Sequence, residues 1–155
     1  MFKDLDNLLS EKDKKILFVG IGNLLKMDDG VGVYITRKIK TRANLSSLIV
    51  ETSIENYIGK VNTLNPDILV LVDCMDLGSS SGTFKLLPLN NIQDTTFNTH
   101  NISLKRLAEF FAMKVFILGI QPEKIGFGEN ITYLVKNIAD KIIKHINKQE
   151  VNHGS

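Results

Sequence analysis

Two carboxylates and one imidazole are the side chains whose type and position suit chemistry. Asp29 lies in the loop after an apolar run, Ile16–Val19, bounded by Gly20 and Gly22. Asp73 closes the most apolar run of the chain, Ile68–Val72, and His100 stands immediately before a helical pattern. In open parallel sheets, ligands sit where strands end and helices begin. If these three loops share one edge of a sheet, an O/O/N set converges there. Such a set suits a first-row divalent cation with open coordination positions. It lacks the several His or Cys ligands of a tightly held zinc. Each residue also has an ordinary reading. An Asp ahead of a helix is commonly a cap, and a His at a helix start is commonly a surface or capping residue. Asp73 is harder to explain that way, because a carboxylate ending an apolar strand must be paired, hydrogen-bonded or functional.

Competing chemistries fit less well. Gly20-Ile21-Gly22 supplies the first two glycines of a dinucleotide-binding turn, but Leu25 occupies the third position. The acid pair Asp28-Asp29 follows, where a pyrophosphate would need backbone N–H groups and no negative charge. Cys74 directly follows Asp73, so a thiol nucleophile has to be weighed. It would need a neighbouring base or cation to form thiolate. Its surroundings are acidic, and strand alternation turns it away from Asp73. Ser79, Ser80 and Ser81 lack the nucleophile-elbow pattern. Loop residues that would shape a substrate groove are Asn23, Gly30, Thr99, Asn101 and Gln121, with turn chemistry as the alternative. His145 and His153, on or beyond the last helix, read as surface residues.

The elements that must position these groups follow from periodicity. Phe2, Leu5, Leu8 and Leu9 share one helical face, so residues 1–14 form an arm or a short docking helix. The first strand spans Ile16–Ile21 and the first full helix Gly30–Thr41, with Val31, Ile35 and Ile39 four apart. Leu48–Glu51 is a short strand, Glu55–Asn62 a weak helix, and Asn65-Pro66-Asp67 a turn. Ile68–Val72 belongs at the centre of the sheet. Thr83–Leu87 reads as an edge strand because Pro88 follows it. Residues 88–99 are polar and irregular. A helix spans Asn101–Met113 with Leu104, Leu107, Ala108 and Phe111 on one stripe. Val115–Ile120 is the last strand, and Leu134, Ile138, Ile142 and Ile146 mark a C-terminal helix, with 149–155 as a tail. Strands alternating with helices predict an α/β fold: a three-layer α/β/α sandwich with a mostly parallel central sheet. The strand after Gly82 is the expected antiparallel edge, because a short loop cannot make a parallel crossover.

The totals narrow the function classes. At 155 residues, 43% of them apolar, the chain is expected to be one domain, 1–155, with a real core. A net charge of +2 supplies no electrostatic footprint for nucleic acid or an anionic membrane. A single cysteine excludes an internal disulfide and a cysteine-rich metal site. No run approaches the roughly 18 apolar residues needed to span a bilayer, so no membrane insertion is expected. The charged opening MFKDLDNLLSEKDKK does not resemble a signal peptide, so a cytoplasmic location is expected.

From Gly20 to Gly32 the chain reads GIGNLLKMDDGVG. This resembles the hydrogenase maturation endopeptidases, whose pattern is G-x-G-N-x-L-x-x-D-[D/E]-G-x-G. LVLVDCMDLG and FNTHNISL match further motifs of that family in the right order. Asp-Asp-Gly, Thr-His-Asn and Leu-Gly-Ile-Gln-Pro make the hydrogenase 3 type the most similar subgroup, and the resemblance spans roughly residues 16–144. It implies an endopeptidase that removes a C-terminal peptide from the precursor of a nickel–iron hydrogenase large subunit. It assigns the catalytic, metal-contacting roles to Asp29, Asp73 and His100. In the family the second acid of the pair is the ligand, which leaves Asp28 to brace the loop or cap the helix. With so sparse a ligand set, the nickel is expected to arrive with the substrate, and no organic cofactor is expected. The competing functions are another metal-dependent hydrolase on the same scaffold, a non-catalytic nickel-sensing chaperone, and a nucleotide-binding module.

Overall fold

The computed structural model describes residues 1–91 and 104–148. In chain order its elements are α1 (Lys3–Leu9), β1 (Ile16–Ile21), α2 (Val31–Arg37), β2 (Leu45–Glu51), α3 (Ile58–Leu64), β3 (Ile68–Cys74), β4 (Phe84–Pro88), α4 (Leu104–Leu107), β5 (Lys114–Ile120) and α5 (Tyr133–Lys148). The strands form one sheet in the order β2-β1-β3-β5-β4, with β3 at its centre. All pairings are parallel except β4 with β5. The expected antiparallel edge strand is therefore present. It lies beside β5 and not beside β3, from which the chain has just come.

Every residue of β1 and of β3 is buried, which explains their unbroken apolar sequence: both faces of the sheet are covered. On one face Phe18, Val70, Val72, Cys74 and Leu118 pack beneath α1, α2 and α5. On the other, Leu17, Val19, Leu69, Leu71 and Ile117 meet Val61 of α3 and Leu107 of α4. Each such aliphatic side chain, fully buried, contributes about 1.5–3 kcal/mol. The result is the three-layer sandwich that the alternating pattern predicts.

The departures from expectation have identifiable causes. Helix α2 stops at Arg37, short of Thr41, because Asn147 of α5 intercepts its next turn. The Asn147 amide donates to the Lys38 carbonyl at 3.0 Å, and its oxygen accepts from Lys40 N–H at 2.9 Å. The same device ends the helical stretch after α4. Asn62 donates to the Phe110 carbonyl and accepts from Ala112 N–H, both at 2.9 Å. After α4 only a single 3₁₀ turn, Ala108–Phe110, continues the helix, in place of a regular run to Met113. Strand β2 starts at Leu45, earlier than Leu48, because the Asn44 carbonyl already accepts from Ile16 N–H at 2.9 Å. The buried face of α5 is Val135, Ala139, Ile142, Ile143 and Ile146, and Leu134 is exposed, so the apolar stripe is rotated from the expected one.

The N-terminal segment is a docked helix. Leu5, Leu8 and Leu9 are buried in the core. Asp6 pairs with the ring Nε2 of His145. Phe2 stacks on the same ring, with centroids 4.2 Å apart. His145 is thus a partly buried link between α1 and α5 and not the surface residue expected. His153 lies outside the described residues.

Candidate active site

The sheet order places the site. From β1 the chain moves outward to β2 on one side, and β3 lies on the other. The carboxyl ends of β1 and β3 therefore flank a topological switch point, where open α/β sheets hold their ligands. Asp28 and Asp29 follow β1, and Asp73 is the penultimate residue of β3. Gly20 pairs with Val72, one residue before Asp73, so the two strands end side by side.

Glycines allow the loop to close onto these ends. A Cβ on Gly22 would lie 2.0 Å from the Asp29 carbonyl oxygen, and φ there is +140°. A Cβ on Gly32 would lie 2.1 Å from the Val72 oxygen and 2.5 Å from the Ile21 oxygen. Only glycine lets the start of α2 rest on the last peptides of β1 and β3. The 3₁₀ turn Met27–Gly30 then carries the acid pair into α2. Met27 sits in the left-handed region at φ 55°, a strained setting for a non-glycine residue. The strained residue is held because its N–H donates to the Gly128 carbonyl at 2.8 Å.

The two acids do different things. Asp28 is fully buried, and its carboxylate accepts from four donors. Glu123 and Lys124 N–H each reach one oxygen at 2.9 Å. Thr132 N–H reaches the other at 2.7 Å, and the Thr132 hydroxyl donates as well. Asp28 thus lashes the loop between β5 and α5 to the acidic loop. Asp29 is 4% exposed, and Asn23 N–H donates to its Oδ2 at 3.0 Å. Its Oδ1 is buried and has no hydrogen-bond partner among the described residues. A buried anionic oxygen without a donor is costly unless a cation takes that place, so Asp29 suits a metal-contacting role and Asp28 does not. Asp73 is also fully buried.

Cys74 belongs to the core beneath α1, α2 and α5. Burial first, then the charges of Asp73, Asp29 and Asp28, push its thiol well above the ordinary range. Burial and those charges keep the thiol protonated. A buried neutral thiol is not a nucleophile.

The remaining expected groove residues separate. Asn23 is partly exposed and lines a cleft of about 320 Å³ with Gly22, Leu24, Leu25, Glu51 and Thr52. Its side-chain oxygen accepts from Leu25 N–H at 2.9 Å, an Asx turn. Gly30 is buried against Leu24 and caps α2. Gln121 accepts from Leu77 N–H at 2.6 Å and so anchors the loop after β3. Its acceptor is used by the fold. His100, Thr99 and Asn101 lie outside the described residues. Among the described residues no three His, Cys, Asp or Glu side chains form a metal-holding group. A bracing role for Asp28 was expected from the sequence, but not its partners at residues 123, 124 and 132. Backbone N–H donors carry no side-chain signature, and the only sequence signal is an acid pair in which one carboxylate is left over.

A family model described as hydrogenase maturation protease matches residues 33–149. The chain belongs to the hydrogenase maturation protease family. Family membership makes it a peptide hydrolase. It is 31% identical over 144 residues to a putative hydrogenase maturation protease of Methanocaldococcus jannaschii, covering 84% of this chain and 85% of that one. It is 26% identical over 140 residues to the hydrogenase 3 maturation protease of Escherichia coli K12, covering 86% and 90%. The crystal structure of a [NiFe] hydrogenase maturation protease from Thermococcus kodakarensis superposes with a TM-score of 0.81 at 27% identity, covering 94% of this chain and 97% of that one. Among the described residues of this protease, no helix is long and apolar enough to cross a membrane.

Proposed function

We propose that this protease removes a C-terminal peptide from the precursor of a nickel–iron hydrogenase large subunit, in the cytoplasm, and that it recognises nickel already seated in that precursor. The observation that carries this reading is the divided carboxylate of Asp29. One oxygen is fixed by Asn23 N–H, and the other is buried without a donor among the described residues. Asp29 and Asp73 supply anionic oxygens beside the switch point, and His100 is proposed as the third ligand, from its motif. Held this way, the substrate's cation would supply Lewis-acid chemistry, polarising the scissile carbonyl and making nearby water easier to deprotonate. Hydrolysis adds that water to the carbonyl and breaks the C–N bond, and the leaving amine takes up a proton. In this reading one of the two carboxylates, Asp29 or Asp73, holds the proton between these events. Cys74, neutral and buried, takes no part.

The donor set is too sparse to keep an ion without the substrate's own ligands. Chelator-treated enzyme should therefore cut nickel-loaded precursor and leave nickel-free precursor intact. Mass spectrometry of the processed C-terminus reads the result. Equal cleavage of both precursors would replace this reading with a metalloprotease that carries its own ion.

A further inference from the structure

The loop lashed down by Asp28, the start of α5 and the acidic loop beside them carry exposed apolar side chains. Phe127 is 99% exposed, Tyr133 85%, Leu25 60% and Ile125 45%. Their backbone is nevertheless pinned. Gly128 N–H donates to the Leu25 carbonyl at 3.0 Å, Met27 N–H to the Gly128 carbonyl at 2.8 Å, and Asp28 N–H to the Lys124 carbonyl at 3.2 Å. The Asp28 carboxylate closes the frame through Glu123, Lys124 and Thr132. Exposed apolar side chains on a pinned frame add nothing to the core, and a contiguous set of them marks an interaction surface. Because the backbone is already ordered, docking onto it carries little further entropy cost. Lys26, Glu123, Lys124 and Glu129, neighbours of the set in sequence, are exposed as well, the mix of apolar and charged residues that protein interfaces use.

We infer that this surface docks the folded body of the precursor, with Phe127 as the anchor. The inference rests on the substrate reading given above. Phe127 stands out from the surface, almost fully exposed, so its partner must supply the pocket. A folded protein has such pockets, and an extended peptide does not. The surface is also continuous with the catalytic loop, because Leu25 and Met27 share the frame that ends in Asp29. Docking here sets the distance from the precursor's body to the site, which restricts cleavage to one peptide bond of one protein.

The experiment compares wild type with Phe127→Ala and Ile125→Ala, using purified nickel-loaded precursor. It measures steady-state cleavage, binding to immobilised enzyme, and thermal melting. Phe127→Ala should raise KM and Kd about tenfold or more, as truncation of a binding anchor does, with the melting temperature unmoved because no core contact is lost. Ile125→Ala should show the same direction with a smaller change. Wild-type KM and Kd in both variants, from a wild type that does cut the precursor, would overturn the inference and leave the substrate reading standing. A wild type that self-associates through Phe127, seen as a dimer that the alanine variant abolishes, would also overturn it. A wild type that neither binds nor cuts the precursor would overturn the substrate reading, and this inference with it.

Discussion

Replacing Asp28 and Asp29 in turn by Asn separates the clamp from the chemistry, because the two buried carboxylates have opposite hydrogen-bond surroundings. Asp28 accepts from Glu123, Lys124 and Thr132 N–H and from the Thr132 hydroxyl. An asparagine can turn its single oxygen to one side only. If the oxygen stays with Glu123 and Lys124, its amide faces Thr132 N–H, donor against donor, and the other orientation strands two donors. Each stranded buried donor costs about 1–3 kcal/mol, and the remaining bonds lose their charge assistance. The expected loss for Asp28→Asn is about 2–4 kcal/mol, or roughly 5–15 °C in melting temperature for a chain of this size. The Asp29 carboxylate has one hydrogen bond among the described residues, from Asn23 N–H. Asparagine keeps that bond with its oxygen and removes a buried negative charge, so the stability of Asp29→Asn should stay within about 1 kcal/mol of wild type. Its processing activity should nevertheless fall by orders of magnitude, because an amide cannot replace an anionic ligand. Asp29→Glu should keep more activity than Asp29→Asn. Thermal melts and precursor cleavage on the same preparations test this. An Asp29→Asn variant that processes at the wild-type rate, or that melts as low as Asp28→Asn, would show that Asp29 is a structural cap and refute the reasoning.

Two further outcomes follow from the same geometry. Gly32→Ala should be destabilised by about 3 kcal/mol or more, because the new methyl meets the Val72 and Ile21 carbonyl oxygens at 2.1 and 2.5 Å and sheet backbone cannot move aside. A wild-type denaturant midpoint for that variant would contradict the placement of α2 on the strand ends. Cys74→Ala should still process precursor, and native protein at pH 8.5 should resist iodoacetamide, since burial and the neighbouring carboxylates keep the thiol protonated. Rapid labelling of the folded enzyme, with loss of activity, would reverse that assignment.

The strands, their mostly parallel pairing and the positions of Asp29 and Asp73 were legible in the sequence. Apolar runs such as Ile16–Val19 and Ile68–Val72 report burial on both faces, and the residue ending such a run is marked by its contrast with it. The glycines of the first loop were legible as places of close approach, and the structure shows which backbone they admit. What periodicity could not supply was contact between distant segments. Asp28 finds its partners at residues 123, 124 and 132, all but one of its four donors being backbone N–H groups that look alike at every position. Asn62 and Asn147 end helices that are remote in sequence, overriding helical patterns that would otherwise run on. The face of α5 and the link from His145 to Asp6 depend on how α1 packs across it. Local sequence sets which way each backbone segment prefers to fold. Which carboxylate becomes a clamp and which keeps a buried oxygen without a donor among the described residues was decided by what tertiary packing brought against each of them.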